Sequence, residues 1–135
     1  MFFKKKNKEY AEANVRFLEE NAKNEGVITL PSGVQYRVIE EGDGDKPNLR
    51  SIVQVYYSGK MIDGKQFDSN MNDNVPIAFR LNEVIEGWQI ALSEMPAGST
   101  WEIFIPQELG YGDSSVGNIK KYSTLIFTVK LVSVS

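Results

Sequence analysis

The sequence contains no cysteine and no histidine in its 135 residues. Their absence excludes Ser-His-Asp and Cys-His nucleophilic catalysis, thiolate metal sites and disulfide bonds. No apolar run approaches the roughly 18 residues of a membrane span. The first apolar residues precede the lysines, which is the reverse of a secretory signal. We therefore expect no membrane span and no metal site, and any chemistry must use carboxylates, phenols, backbone amides and apolar side chains.

Basic residues are in slight deficit, with 15 Lys and Arg against 18 Asp and Glu. The resulting net charge of -3 argues against nucleic acid as a main partner, because phosphate binding requires a basic face. One basic cluster is present at Lys4, Lys5, Lys6 and Lys8, and we interpret it as a solvated terminal segment. The length and the 41% hydrophobic content fit a single well-buried core.

The amino-terminal part of the chain predicts an amphipathic helix. From Lys8 to Asn24, apolar residues recur at intervals of three and four, with charged residues between them. Gly26 is a plausible helix stop, because glycine accepts a left-handed backbone. We assign residues 1–31 to a tail, this helix and a connection, and residues 32–135 to one domain. The sequence leaves open whether the helix docks on that domain, projects freely or pairs with a second copy.

Residues after Gly33 alternate between apolar and polar side chains in several short segments. Each segment has one apolar face, and polar residues such as Gln35 and Thr124 are expected to face water. Between the later segments, Val84 to Met95 has apolar residues at helical spacing. The pattern predicts an α+β domain, in which a curved antiparallel sheet of five or six strands is covered on one side by one short helix.

The stretch VYYSGKMIDGKQFDS, from Val55 to Ser69, predicts a β-hairpin. Asp63-Gly64 is a turn signal, since glycine accepts the positive φ that tight hairpin turns require. The alternation places Tyr57 on the buried face of the outgoing strand, and Gln66-Phe67-Asp68 returns beside it. Tyr57, Phe67 and Asp68 should therefore be neighbours.

The segments YYSG, DGKQFDS, EVIEGW and ELGYG, in this order and spacing, resemble the FKBP family of peptidyl-prolyl cis-trans isomerases. The similarity runs from about Ser32 to Val134. The preceding segment, FLEENAKNEGVITLPSGVQYRV, is similar to the linker before the isomerase domain of bacterial FKBPs of the macrophage infectivity potentiator (Mip) type. The resemblance implies a half-barrel fold and a prolyl isomerase that requires no cofactor.

The resemblance also implies roles for individual residues. Trp88 would be the floor on which a proline ring lies, and the Ile85 N–H would bind a substrate carbonyl. Tyr57, Asp68 and Tyr111 would be the catalytic residues, with Asp68 accepting from Tyr57 and orienting the site without transferring a proton. The remaining substrate-binding residues would be Phe67, Ile77, Phe79, Val84, Ile119 and Phe127, with Ile119 overhanging the pocket.

Each of these residues also has a purely structural interpretation. Trp88 at a helical position is more often a core residue, and Asp68 at a strand end is more often a turn residue. Tyr111-Gly112 is compatible with an ordinary loop. The joint occurrence of these residues in the order of the family favours a functional site.

The sequence departs from the family pattern at the rim of the expected pocket. Ile77 stands where many members carry an aromatic residue, and Lys120-Lys121 stands where many carry two prolines, followed by Tyr122 in place of a frequent histidine. The loop that contains these residues therefore gains two charges and loses rigidity. We expect inhibition by the macrolides tacrolimus and rapamycin, weakened by these changes.

The resemblance implies that the substrates are exposed X-Pro segments of folding or flexible polypeptides, and that the chain as given is a monomer. The alternative is a non-catalytic module that binds proline peptides or acts as a chaperone. Retention of the expected site residues favours catalysis. The absence of cysteine is compatible with the cytoplasm, or with the periplasm if the chain is excised from an exported precursor.

Overall fold

The structure is a computed structural model that describes residues 2–135, with side chains from Lys4 onward. The described residues form two helices and seven strands, with short 3-10 turns at Leu81–Glu83 and Gln107–Leu109. In chain order the elements are α1 (Phe2–Asn21), β1 (Val27–Thr29), β2 (Gln35–Glu40), β3 (Ile52–Lys60), β4 (Gln66–Ser69), β5 (Ile77–Arg80), α2 (Glu86–Leu92), β6 (Thr100–Ile105) and β7 (Leu125–Val134). Among these described residues, no helix is long and apolar enough to cross a membrane.

The strands form one antiparallel sheet in the order β1-β2-β6-β7-β3-β4, and β5 also pairs with β3. The predicted α+β architecture, with an amino-terminal helix and a second helix against a sheet, is confirmed. Residues 32–135 contribute six strands, β2 to β7, which agrees with the predicted five or six. Val27–Thr29, beside the expected irregular connection, pairs with Gln35–Arg37 and adds an edge strand.

Helix α2 lies against the concave side of the sheet and is shorter than the predicted Val84 to Met95. Its buried residues Trp88, Ala91 and Leu92 follow helical spacing. Gly87 allows a close approach of the helix to β6, because an added Cβ there would clash with the Ile105 side chain. The absence of a side chain at residue 87 therefore lets α2, which carries Trp88, pack close to β6.

Helix α1 docks on the opposite face of the sheet, which is the first of the arrangements that the sequence left open. The rings of Phe17 and Phe104 lie 6.3 Å apart, centroid to centroid. Gln35 and Thr124 were expected to face water, but only 4% and 1% of their surfaces are exposed. This prediction was wrong because α1 covers their face, so parts of β6 and β7 are buried on both faces.

The last turn of α1 is held by a buried amide pair. Asn21 Nδ2 donates to Gln35 Oε1 at 2.8 Å, and Gln35 Nε2 donates to the Leu18 carbonyl at 2.9 Å. The Leu18 carbonyl also accepts the Ala22 N–H at 3.0 Å, so the Gln35 amide adds a second bond to this oxygen at the end of the helix. The helix ends at Asn21, and Gly26, with φ of 81°, lies in the turn that follows rather than at the helix stop.

Candidate active site

The hairpin of β3 and β4 brings the first two predicted site residues together. Gly59 pairs with Asp68 across the two strands, and the Tyr57 hydroxyl donates to Asp68 Oδ2 at 2.5 Å. An added Cβ at Gly59 would lie 2.6 Å from the Phe67 ring and 2.8 Å from the Phe127 ring. Glycine at this position therefore lets these two rings meet across the strand.

Asn70, directly after β4, fixes the backbone of Tyr57. Its Oδ1 accepts the Tyr57 N–H at 2.7 Å, and its Nδ2 donates to the Val55 carbonyl at 3.1 Å. The Asn70 N–H donates to the Tyr57 carbonyl at 3.0 Å. The buried amide thus continues the pairing of β3 beyond the end of β4 and holds Tyr57 in place.

Three aromatic rings surround Trp88 at nearly right angles. The Trp88 ring lies 5.3 Å from Tyr57, 5.9 Å from Phe79 and 5.3 Å from Phe127, with interplanar angles of 87°, 85° and 90°. Edge-to-face contacts of this kind are favourable, because the positive ring edge meets the negative ring face. The indole therefore forms a floor, and the other rings form walls around it.

These residues line a cleft of about 430 Å³. The cleft has an aromatic and aliphatic surface with polar groups from two phenols and two carboxylates. Its lining consists of Tyr57, Phe67, Asp68, Phe79, Glu83, Val84, Ile85, Trp88, Tyr111 and Phe127. The sequence-predicted residues other than Ile77 and Ile119 are therefore brought together at one place.

Ile77 and Ile119 do not line the cleft, in contrast to the prediction. Ile77 begins the short strand β5 and leaves 40% of its surface exposed. Ile119 is only 6% exposed because it packs into the core cluster, and its backbone bridges to Val116. The order of motifs along the chain did not determine whether these two side chains line the cleft.

Two hydrogen-bond donors in the cleft have no protein acceptor within residues 2–135. The Ile85 N–H precedes the first turn of α2 and bonds to no other described group. The Tyr111 hydroxyl likewise has no hydrogen-bond partner there. Both groups can donate to the carbonyl oxygens of a bound chain.

The Tyr57 phenol is held in its protonated form. Burial, followed by the hydrogen bond to Asp68 and the negative charge of that carboxylate, raises the pKa of Tyr57 well above 10.0. At neutral pH the phenol therefore donates to Asp68 and does not act as a base.

The sequence analysis did not identify Glu83 or Asn70. Glu83 opens the quoted segment EVIEGW, so its place beside Val84 in the lining was a signal that could have been used. Asn70 gave no signal, because an asparagine after a strand is also typical of a turn. Among the residues that the structure describes, no three His, Cys, Asp or Glu side chains are grouped to hold a metal ion.

Comparisons with known proteins agree with this geometry. Residues 44–132 match the family model of FKBP-type peptidyl-prolyl cis-trans isomerases, and residues 2–38 match the model of the domain amino-terminal to it. Over 125 residues, the chain is 49% identical to the FKBP-type 22 kDa peptidyl-prolyl cis-trans isomerase of Escherichia coli, covering 92% of this chain and 61% of that protein. It is 46% identical over 133 residues to the outer membrane protein MIP of Legionella longbeachae, covering 98% and 57%.

The fold of the chain is also similar to that of a solved structure. The crystal structure of FkpA from Escherichia coli matches with a TM-score of 0.92 and 37% identity, covering 98% of this chain and 62% of that chain. The chain spans about 60% of the length of these relatives. The breadth of the family match and these identities show that the chain belongs to the family of FKBP-type peptidyl-prolyl cis-trans isomerases.

Proposed function

We propose that this chain is a peptidyl-prolyl cis-trans isomerase that accelerates X-Pro bond rotation in folding or flexible polypeptides. The observation that carries the proposal is the cleft itself, in which Trp88 is surrounded edge-on by three rings beside the hydrogen bond from Tyr57 to Asp68. The family membership supports the same reaction.

Rotation about an X-Pro bond requires no nucleophile. The planar amide is stabilised by conjugation between its nitrogen and its carbonyl, which gives a barrier of about 20 kcal/mol. The twisted bond has lost that conjugation and is less charge-separated, so an apolar, water-poor cleft favours it over the planar state. A barrier lowered by about 5 to 6 kcal/mol gives an acceleration of roughly ten-thousand-fold.

The cleft residues supply complementary roles in this proposal. The proline ring lies on Trp88, because burial of its apolar surface favours binding. The free Ile85 N–H binds one substrate carbonyl, and the Tyr111 hydroxyl binds a second carbonyl next to the proline. Both contacts orient the peptide so that only the X-Pro bond is free to twist.

Asp68 acts on the twisting bond through its charge. The Asp68 Oδ2 atom accepts the hydrogen bond from the Tyr57 hydroxyl, and this bond fixes the orientation of the carboxylate. It lies beside the carbonyl carbon of the rotating bond and stabilises the twisted geometry electrostatically. The raised pKa of Tyr57 extends the pH range over which this phenol stays protonated above the ordinary value of 10.0.

A protease-coupled assay on a short Xaa-Pro-Phe peptide tests the proposal. Tyr57→Phe removes the hydroxyl that donates to Asp68, and we expect kcat/KM to fall about tenfold. Tyr56→Phe is the matched control, because Tyr56 points to the other face of the same strand. Binding of a proline analogue without any rate acceleration by the wild-type chain would instead support a non-catalytic module that binds proline peptides.

Further proposals follow from the same cleft and fold. Tacrolimus and rapamycin should occupy the cleft and inhibit the chain. The lining of the cleft is mostly apolar with a few polar groups, which suits such largely apolar ligands. We also propose that the chain as given is a monomer, and that residues 32–135 form the isomerase domain after an amino-terminal segment of residues 1–31. Light scattering on the full chain and titration with either macrolide test these points.

A further inference from the structure

Helix α1 is hydrogen-bonded to the end of the loop that follows Tyr111. We call residues 112–124 the late loop. Asn14 Oδ1 accepts the Thr124 N–H at 2.7 Å, and Asn14 and Thr124 are 2% and 1% exposed. The Asn14 Nδ2 group donates to the Tyr10 carbonyl at 2.8 Å, which fixes the direction of the amide. The late loop is thus held at its carboxyl end by a buried side chain of α1.

A second contact from α1 lies next to the first. The Ser123 hydroxyl donates to the Lys120 carbonyl at 2.7 Å, so its one proton is already used. The Tyr10 hydroxyl, 2.9 Å from Ser123 Oγ, is therefore the donor in their bond. The Lys120 ammonium lies 5.3 Å from the centroid of the Tyr10 ring, within the range of a cation–π contact.

Tyr122, between these contacts, has a strained backbone. Its φ of 64° is positive, and within the described chain it is the only residue other than glycine with a positive φ. Such a conformation persists only where neighbouring contacts fix it. The Tyr122 N–H donates to the Gly112 carbonyl at 2.8 Å, and Ser123 and Thr124 are held by α1.

The late loop connects these contacts to the cleft. Gly112, which Tyr122 binds, directly follows Tyr111, whose side chain lines the cleft. Residues 113–118 are exposed, so the loop is held by Ile119, which packs into the core, and by the contacts at its base. The contacts with α1 and the cleft residue Tyr111 are therefore joined through the hydrogen bond between Tyr122 and Gly112.

We propose that α1 positions the late loop, and with it Tyr111, for substrate binding, through Asn14 and Tyr10. This inference rests on the proposed isomerase function. Asn14 and Tyr10 are positioning residues, since neither of them lines the cleft. The amino-terminal helix thereby contributes to substrate affinity from the face of the sheet opposite to α2.

The test compares Asn14→Ala with Asn21→Ala in the full chain. Both remove a buried asparagine of α1, but Asn14 bonds to the late loop whereas Asn21 bonds to Gln35 of β2. We expect Asn14→Ala to raise amide hydrogen exchange of Tyr122 and Thr124 about tenfold. Asn21→Ala should change exchange at these two amides by less than about twofold.

Steady-state kinetics provide the second measurement. We expect Asn14→Ala to raise KM about fivefold and to change kcat by less than about twofold, because Tyr111 loses its position while the rest of the cleft is intact. Tyr10→Phe should act in the same direction by about twofold to threefold, and it serves if Asn14→Ala fails to fold. Equal exchange and equal KM in the Asn14 and Asn21 variants would overturn the inference.

The two proposals fail in different ways. If the wild-type chain does not accelerate isomerisation, the proposed function fails, whereas the exchange of the late loop and the affinity for a proline analogue can still be compared among the variants. If the wild-type chain is active but Asn14→Ala and Tyr10→Phe leave both loop exchange and KM unchanged, the positioning role fails and the proposed function stands.

Discussion

The Tyr57 hydroxyl and the Asp68 carboxylate are joined by a hydrogen bond of 2.5 Å between neighbouring antiparallel strands. Both side chains line the cleft, and the phenol stays protonated because its pKa is raised. The pair therefore places a carboxylate of fixed orientation, held by the hydroxyl of Tyr57, beside Trp88 at the floor of the cleft. In the proposed mechanism this arrangement separates two tasks, since the rings bind the proline and the carboxylate acts on the twisting bond.

Asp68→Ala should lower turnover more than it lowers ligand affinity. In the proposed mechanism the carboxylate stabilises the twisted bond electrostatically, so we expect kcat to fall about 10- to 100-fold. Binding of a proline analogue should change by less than about threefold, because the apolar walls remain. Kinetics and calorimetry measure the two quantities. An equal loss of affinity and turnover would contradict the separation of tasks.

Trp88→Leu should weaken both binding and turnover, because it removes the floor of the cleft. We expect affinity for a proline analogue to fall about tenfold or more and stability to fall by about 2 to 4 kcal/mol. Trp101→Leu is the matched control, since Trp101 is 3% exposed in the same core but does not line the cleft. If both variants lose affinity equally, Trp88 contributes only to stability.

Gly59→Ala should displace two aromatic rings that form walls of the cleft. The added Cβ would lie 2.6 Å from the Phe67 ring and 2.8 Å from the Phe127 ring, so both must move. We expect a loss of about 1 to 3 kcal/mol in the free energy of unfolding, together with a lower kcat/KM. Gly64→Ala is the control, with φ of 86° and no atom within 4 Å of its added Cβ, so it strains the turn but leaves kcat/KM unchanged.

Stability should fall at alkaline pH partly through Tyr57. Its pKa in the folded chain lies above the ordinary value of 10.0. Because the folded value is the higher one, the stabilisation is complete below about pH 10 and is lost as the pH rises through the folded pKa. Urea denaturation from about pH 8 to about pH 11 should show a shallower decline for Tyr57→Phe than for the wild type.

The comparison also controls for the other shifted tyrosine. Burial, followed by the charges of Glu94 and Glu41, raises the pKa of Tyr36 as well. Tyr36 is present in both proteins, so its contribution cancels from the difference. Identical slopes for the wild type and Tyr57→Phe would show that the Tyr57 pKa does not contribute to folding.

Ile77→Phe should strengthen macrolide binding. Ile77 leaves 40% of its surface exposed, and Phe79 of the same strand already lines the cleft. A ring at residue 77 can extend this wall, and we expect the affinity for tacrolimus to rise about twofold to tenfold. Val75→Phe adds a ring at a residue that is 70% exposed, and it should leave the affinity unchanged. Calorimetry on both variants measures the difference.

The sequence predicted the hairpin and the helix that carry the site, because both depend on local patterns. Alternation around Val55 and Tyr57 and the Asp63-Gly64 turn are sufficient to place Asp68 beside Tyr57. Helical spacing located Trp88 on the buried side of α2. The directions of Ile77 and Ile119 depend on tertiary packing, which the order of motifs does not specify.

The docking of α1 could not be predicted from any local pattern. It depends on pairs such as Asn14 with Thr124, which lie 110 residues apart in the sequence. A weaker signal existed in the consecutive apolar residues of Ile103–Ile105 and Leu125–Phe127, since strands buried on both faces lack strict alternation. That signal indicates a covered face, but it does not identify the element that covers it.

The two buried asparagines of α1 give its interface a single register. Asn14 and Asn21 lie on one side of the helix, about two turns apart. Each of them has its own partner, the Thr124 N–H and the Gln35 amide. Sliding the helix by one turn would break the bonds of Asn14 to the Thr124 N–H and of Asn21 to the Gln35 amide, whereas an entirely aliphatic contact would tolerate such a shift. The angle and depth at which α1 crosses the sheet are thus encoded by polar side chains inside an otherwise apolar contact.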